Sequence, residues 1–192
     1  MTPHIQGGPV EFKVGDKAVY PAHGVGMVTS VHDEDLEGDL YTVYTFKVLD
    51  NGMTITVPVQ NADAIGMRHV IEPSRIEKIY DILRDRDTPT DNQTWNRRYR
   101  EYMTKIRTGD PLEVGKVLRD LALMKMEKNL SFGERKMFDH ARGLLVQEIA
   151  VARDCDEAEV QAQIESLFVA PPDAGEKKTK SSKAKPKPKS KS

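Results

Sequence analysis

Thr94-Trp95-Asn96-Arg97-Arg98-Tyr99-Arg100-Glu101-Tyr102 is the stretch on which the reading of the chain turns. At 100° per residue, Trp95, Tyr99, Tyr102 and Ile106 share one helical face and Arg97, Arg100 and Arg107 another. Two readings follow. Periodicity alone favours an aromatic core stripe with a solvated basic face opposite. Against that, the only Trp of the chain stands among three Arg and two of the six Tyr. Guanidinium groups neutralise phosphate, and a flat ring can stack on or wedge against a base.

Working outward, the surroundings are helical in one direction and extended in the other. Ser74-Arg75-Ile76-Glu77 has capping-box form and predicts a helix to about Asp87, with Ile76, Ile79, Tyr80 and Leu83 on one face. The helix that begins near Thr94 stops at Gly109. Asp110 as N-cap, Pro111 at the first helical position and Glu113 open a third helix carrying Leu112, Val117, Leu118 and Leu121. Ser131 and Glu134 form a second capping box, for a helix to about Arg153 that turns Met137, Phe138, Ala141, Leu144, Leu145 and Ile149 inward. Asp156 and Glu159 open the last helix, with Val160, Ile164, Leu167 and Phe168. Five capped helices with short connections predict a compact α-helical bundle.

Before residue 74 the period is two. Short strands are expected at Lys17–Tyr20, Val25–His32, Tyr41–Leu49 and Met53–Val57, with a last one near Arg68–Val70. Gly24-Val25-Gly26 lies between strands and reads as turn chemistry. Asp50-Asn51-Gly52 is the strongest hairpin signal, Asn-Gly being suited to a type I′ turn. Such spacing predicts a small, strongly bent barrel, and so an α+β chain of two domains. The segment Met53, Thr54, Ile55, Thr56, Val57 and Pro58 is the candidate docking edge, with Thr54 and Thr56 facing away from Met53, Ile55 and Val57. An ordinary hairpin covered by a neighbour is the equal alternative. The expected domains are a loose lead-in over 1–10, the barrel over 11–73, the helical domain over 74–170 and a disordered basic tail over 171–192.

Composition limits the function classes. The formal net charge of the 192 residues is -1, yet residues 176–192 carry +7 and the rest -8. An acidic body with a Lys/Pro-rich tail excludes a uniformly basic DNA-coating surface. The tail has too few apolar residues for a core and offers only sequence-blind attraction to phosphate. The single cysteine, Cys155, excludes an intramolecular disulfide. The five histidines show no ligand spacing, and there is no Walker loop, GxGxxG or nucleophile elbow. We therefore expect no enzyme, no cofactor, no metal and no membrane span. The location expected is cytoplasmic, in association with the nucleoid.

Several longer motifs carry a resemblance. Phe12-Lys13-Val14-Gly15-Asp16-Lys17-Ala18-Val19-Tyr20-Pro21 with His23-Gly24-Val25-Gly26, then Asn51-Gly52-Met53 and Val57-Pro58, resemble the amino end of the CarD-like transcription regulators. The likeness continues through Thr94–Tyr102, Val117-Leu118-Arg119-Asp120-Leu121 and Leu130-Ser131-Phe132-Gly133-Glu134-Arg135-Lys136-Met137, and the CdnL branch is the most similar. This resemblance implies a Tudor-like barrel that docks on the β subunit of RNA polymerase. It also implies a helical domain that meets promoter DNA at the upstream edge of the −10 region. Trp95 falls on the family's minor-groove wedge, and Arg97, Arg98 and Arg100 on its basic positions. On that footing Trp95 projects from the bundle while Tyr99 and Ile106 stay packed.

The expected outcome is stabilisation of the open promoter complex, and the protein is expected to act as a monomer. Where some members carry polymerase-gripping Arg residues, this chain has His32-Asp33-Glu34-Asp35 and Thr54-Ile55-Thr56, so the surface carries over but those side-chain roles do not. A nucleoid-type architectural protein acting without polymerase is the competing expectation.

Overall fold

The computed structural model describes residues 11–36, 38–86 and 94–168. The expected lead-in and tail lie outside these. Among the described residues five strands form one antiparallel sheet: β1 (Lys17–Tyr20), β2 (Gly24–Leu36), β3 (Asp39–Val48), β4 (Thr54–Pro58) and β5 (Arg68–His69), in the order β4-β3-β2-β1-β5. β2 is longer than its hydrophobic pattern suggests. It pairs with β3 as far as Leu36–Asp39, and a register shift between Val28 and Ser30 lets the long ribbon bend. The sheet closes over Phe12, Val28, Tyr44, Phe46, Val48, Val57 and Met67. The Phe12 ring meets Tyr44 edge-on at 5.6 Å, and the Phe12 amide donates to the Tyr44 hydroxyl.

The turn between β3 and β4 corrects the type I′ expectation. Among these residues only Gly52 has positive φ, 70°, whereas a type I′ turn needs it at both central positions. The loop is longer: Val48 N–H donates to Met53 O at 2.8 Å, and Asn51 Oδ1 accepts from the Met53 amide at 2.9 Å. Asn51 therefore serves through its side chain rather than through a left-handed backbone. A 3-10 turn (Val59–Asn61) and a short helix α1 (Ala62–Ile65), neither anticipated, lead to β5.

Among the described residues five further helices follow: α2 (Pro73–Arg84), α3 (Trp95–Arg107), α4 (Pro111–Glu127), α5 (Phe132–Arg153) and α6 (Glu157–Phe168). Asp110 caps α4 by accepting from the Leu112 amide, and Ser131 with Glu134 completes the capping box of α5. The box expected at Ser74–Glu77 does not form. Pro73 occupies the first helical position with Glu72 as N-cap, because a fixed φ and a missing N–H suit proline to that place. Ile79, Leu83, Ile106, Val117, Leu118, Leu121, Leu145 and Ile149 make a second, helical core. α4 lies against α2, α3 and α5, and α5 reaches back to touch β2.

Candidate nucleic-acid interface and docking edge

At the head of α3 the buried stripe is Arg98, Tyr102 and Ile106, spaced by four residues. It keeps Tyr102 and Ile106 of the stripe that hydropathy predicts and has Arg98 where Tyr99 was expected. Arg98 is 7% exposed, and its Nη2 donates to Glu134 Oε1 at 2.6 Å. Glu134 also accepts from the Ser131 amide at 2.9 Å and lies 3.8 Å from Lys128 Nζ. Burial alone disfavours its ionisation. The hydrogen bonds from Ser131, with the charges of Lys128 and Arg98, outweigh that and hold the carboxyl below the ordinary carboxylate range.

Trp95 is consequently half-buried at the rim. Its indole rests on Gly133 in the first turn of α5, where an added Cβ would stand 2.9 Å from Cζ2 and 3.0 Å from Nε1. Only glycine allows that approach. Tyr99 meets the indole edge-on at 5.6 Å and is 45% exposed, so it is not the packed residue that the resemblance implies. Next to Gly133, Phe132 is 86% exposed. Trp95, Tyr99 and Phe132 thus form an aromatic rim from two helices.

Sequence reasoning missed Phe132. The signal was present: an apolar residue in the first turn of α5 that lies off the stripe of Met137, Phe138, Ala141 and Leu145. Arg97 and Arg100 are exposed, Arg97 pairing loosely with Glu101 at 3.5 Å. Along α3, Arg97 and Arg100 stand exposed on the face away from Trp95, and Arg98 turns inward, correcting the expectation that its charge stands beside theirs.

The second candidate surface is β4. It pairs only with β3, and among the described residues no strand lies on its other side. Thr54 and Thr56 are exposed, Ile55 is half-buried and Val57 is buried, the expected alternation. Met53, just before the strand, is 38% exposed, and Pro58 ends it. An open edge with an alternating face suits strand addition by a partner.

Fold and site together define a two-part protein in which a Tudor-like sheet domain is joined to helices, and comparison with known proteins specifies it further. Residues 12–71 match the CarD-like/TRCF RID domain, which relates to RNA polymerase interaction, and residues 78–165 match the CarD C-terminal domain. The chain is 30% identical over 155 residues to YdeB of Bacillus subtilis (strain 168), whose name proposes it as a transcription factor; the match covers 79% of this chain and 98% of that protein. CdnLNt from Myxococcus xanthus, a solved structure, is 37% identical, with 36% of this chain and 94% of that one covered. Its TM-score of 0.28 is too low for the likeness to bear on the fold. The chain belongs to the CarD-like family of transcription regulators. Among the described residues no helix is long and apolar enough to cross a membrane.

Proposed function

We propose that the chain bridges RNA polymerase and promoter DNA and stabilises the open complex. The sheet domain, residues 11–73, docks on the β subunit through Met53, Thr54, Ile55, Thr56, Val57 and Pro58. The helical domain, residues 74–170, meets DNA at the upstream edge of the −10 region. The observation that carries this reading is the Trp95 indole, seated on Gly133 and edge-on to Tyr99, with Phe132 exposed next to Gly133 and Arg97 and Arg100 exposed further along the same helix as the indole.

A ligand shifts an equilibrium only by its differential affinity for the two states. A half-buried indole that fits a partly unstacked minor groove but not an intact duplex supplies that difference. Each 1.4 kcal/mol of preference shifts the closed-to-open ratio about tenfold. Arg97 and Arg100 bind phosphate without reading bases, and Arg98 acts through Glu134 by fixing the helix that presents Trp95. Attachment to polymerase raises the local concentration of the helical domain at the promoter, so no large basic surface is needed.

The test is a footprint of polymerase–promoter complexes with and without the full chain. Protection that extends over the upstream edge of the −10 region, and requires polymerase, is expected. Equal protection of free duplex contradicts the bridge and favours an architectural protein.

A further inference from the structure

Helix α5 touches both domains of the proposed bridge. Its first turn carries Phe132, Gly133 beneath the indole and Glu134 holding Arg98. Near its other end, Gln147 and Glu148 are buried, at 7% and 4% exposure, and both reach into the sheet domain. At about 1.5 Å per residue, Glu134 and Glu148 are about 21 Å apart along one unbroken helix.

The contacts at that far end form a joint. Gln147 Oε1 accepts the Val25 amide at 3.0 Å, beside Gly24, where a Cβ would stand 2.7 Å from the same oxygen. Glu148 takes a fork from Arg68 of β5: Nη1 donates to Oε1 at 2.5 Å and Nη2 to Oε2 at 2.9 Å. Its Oε1 also accepts the Ile71 amide at 3.0 Å. Arg68 continues to the turn between α3 and α4, donating from Nε and Nη2 to Gly109 O at 2.8 and 2.6 Å. One guanidinium therefore ties the sheet edge to α5 and to the end of α3, the helix that carries Trp95. A planar fork bonded on several sides permits little rotation. The chain crosses from β5 to α2 through Val70-Ile71-Glu72 alone, and Ile71 is itself held, so the connection has no slack.

We propose that Arg68, Gln147 and Glu148 are positioning residues that lock the two domains, making α5 a strut that sets the place of Trp95 relative to the docking edge. This rests on the bridging function proposed above. It replaces a flexible tether, which would supply concentration but not register, with a fixed span. A loosened joint holds the wedge in register only part of the time, and apparent action falls by that fraction.

The experiment uses the full chain in a Cys155→Ser background, spin-labelled at Asp33→Cys and Glu127→Cys, both exposed and outside the joint. The distance distribution is expected to be narrow for the parent, broad for Arg68→Ala and intermediate for Arg68→Lys, which keeps the charge but not the fork. Unlabelled, Arg68→Ala retains parental affinity for polymerase while open-complex lifetime falls about five- to tenfold. Gln147→Ala, which removes one neutral acceptor, gives the same ordering with smaller amplitude, and it serves if Arg68→Ala does not fold. A narrow distribution in these variants overturns the joint, and a broad one with parental lifetimes overturns the strut while leaving the bridge intact. Failure of the bridge itself is distinct: the parent protein would then leave open-complex lifetime unchanged.

Discussion

Arg98 and Glu134, 36 positions apart in the chain, form an ion pair of 2.6 Å with both side chains nearly excluded from water. The pair joins the head of α3 to the head of α5, the two places from which the aromatic rim is built. Its two ends are asymmetric. Glu134 keeps the Ser131 cap if Arg98 is removed, whereas Arg98 loses the carboxylate that faces it if Glu134 is replaced.

From this asymmetry, Arg98→Ala is expected to destabilise the protein by about 2–3 kcal/mol, below the full cost of orphaning a buried charge because Ser131 and Lys128 remain. Arg97→Ala, at a side chain 71% exposed, is expected to change stability little. DNA contact should respond in the opposite order: Arg97→Ala together with Arg100→Ala lowers the salt dependence of promoter binding, irrespective of sequence. Urea titrations and salt series on the same variants check both halves.

Acid should weaken the same contact. The folded-state pKa of Glu134 lies below its ordinary value of 4.5. Its contribution is therefore complete above that value and is lost as pH falls through the folded pKa. The stability gap between the parent protein and Glu134→Gln is expected to be constant above about pH 5.5 and to shrink below about 4.5. A gap that widens in acid contradicts this assignment.

Gly133→Ala isolates the seat of the indole. Alanine gains about 1 kcal/mol of helix propensity over glycine, which offsets the cost of displacing the ring. We expect a melting temperature close to the parent's and a red-shifted emission from the single Trp, as the indole moves toward water. An unchanged emission spectrum places the ring elsewhere.

For the docking edge, Thr54→Lys with Thr56→Lys adds charge to two exposed positions. Stability should move by no more than about 0.5 kcal/mol. Affinity for the polymerase β subunit is expected to fall about tenfold, because lysine on an open edge discourages strand pairing. Unaltered affinity removes β4 from the docking surface.

Much of this architecture was legible in local chemistry. Asp110-Pro111 and Ser131–Glu134 mark helix starts because caps act within a turn, and the strand pattern needs only neighbouring residues. What was hidden depends on partners distant in sequence. Arg98 took a place in the buried stripe because Glu134 receives it, which hydropathy cannot count. Tyr99 gave up that place and became part of the rim. Gln147 and Glu148 resemble the polar face of a helix until Val25 and Arg68 are brought against them. Ser74 does not cap α2 because Pro73, one residue earlier, already meets the needs of a helix start.

The lifetime of the open promoter complex, measured with the full chain and with Trp95→Ala at equal occupancy of polymerase, tests the bridge most directly. The parent protein is expected to prolong it about tenfold or more, with Trp95→Ala returning it close to the value for polymerase alone. Equal prolongation by both proteins would contradict a mechanism in which this indole props open the duplex.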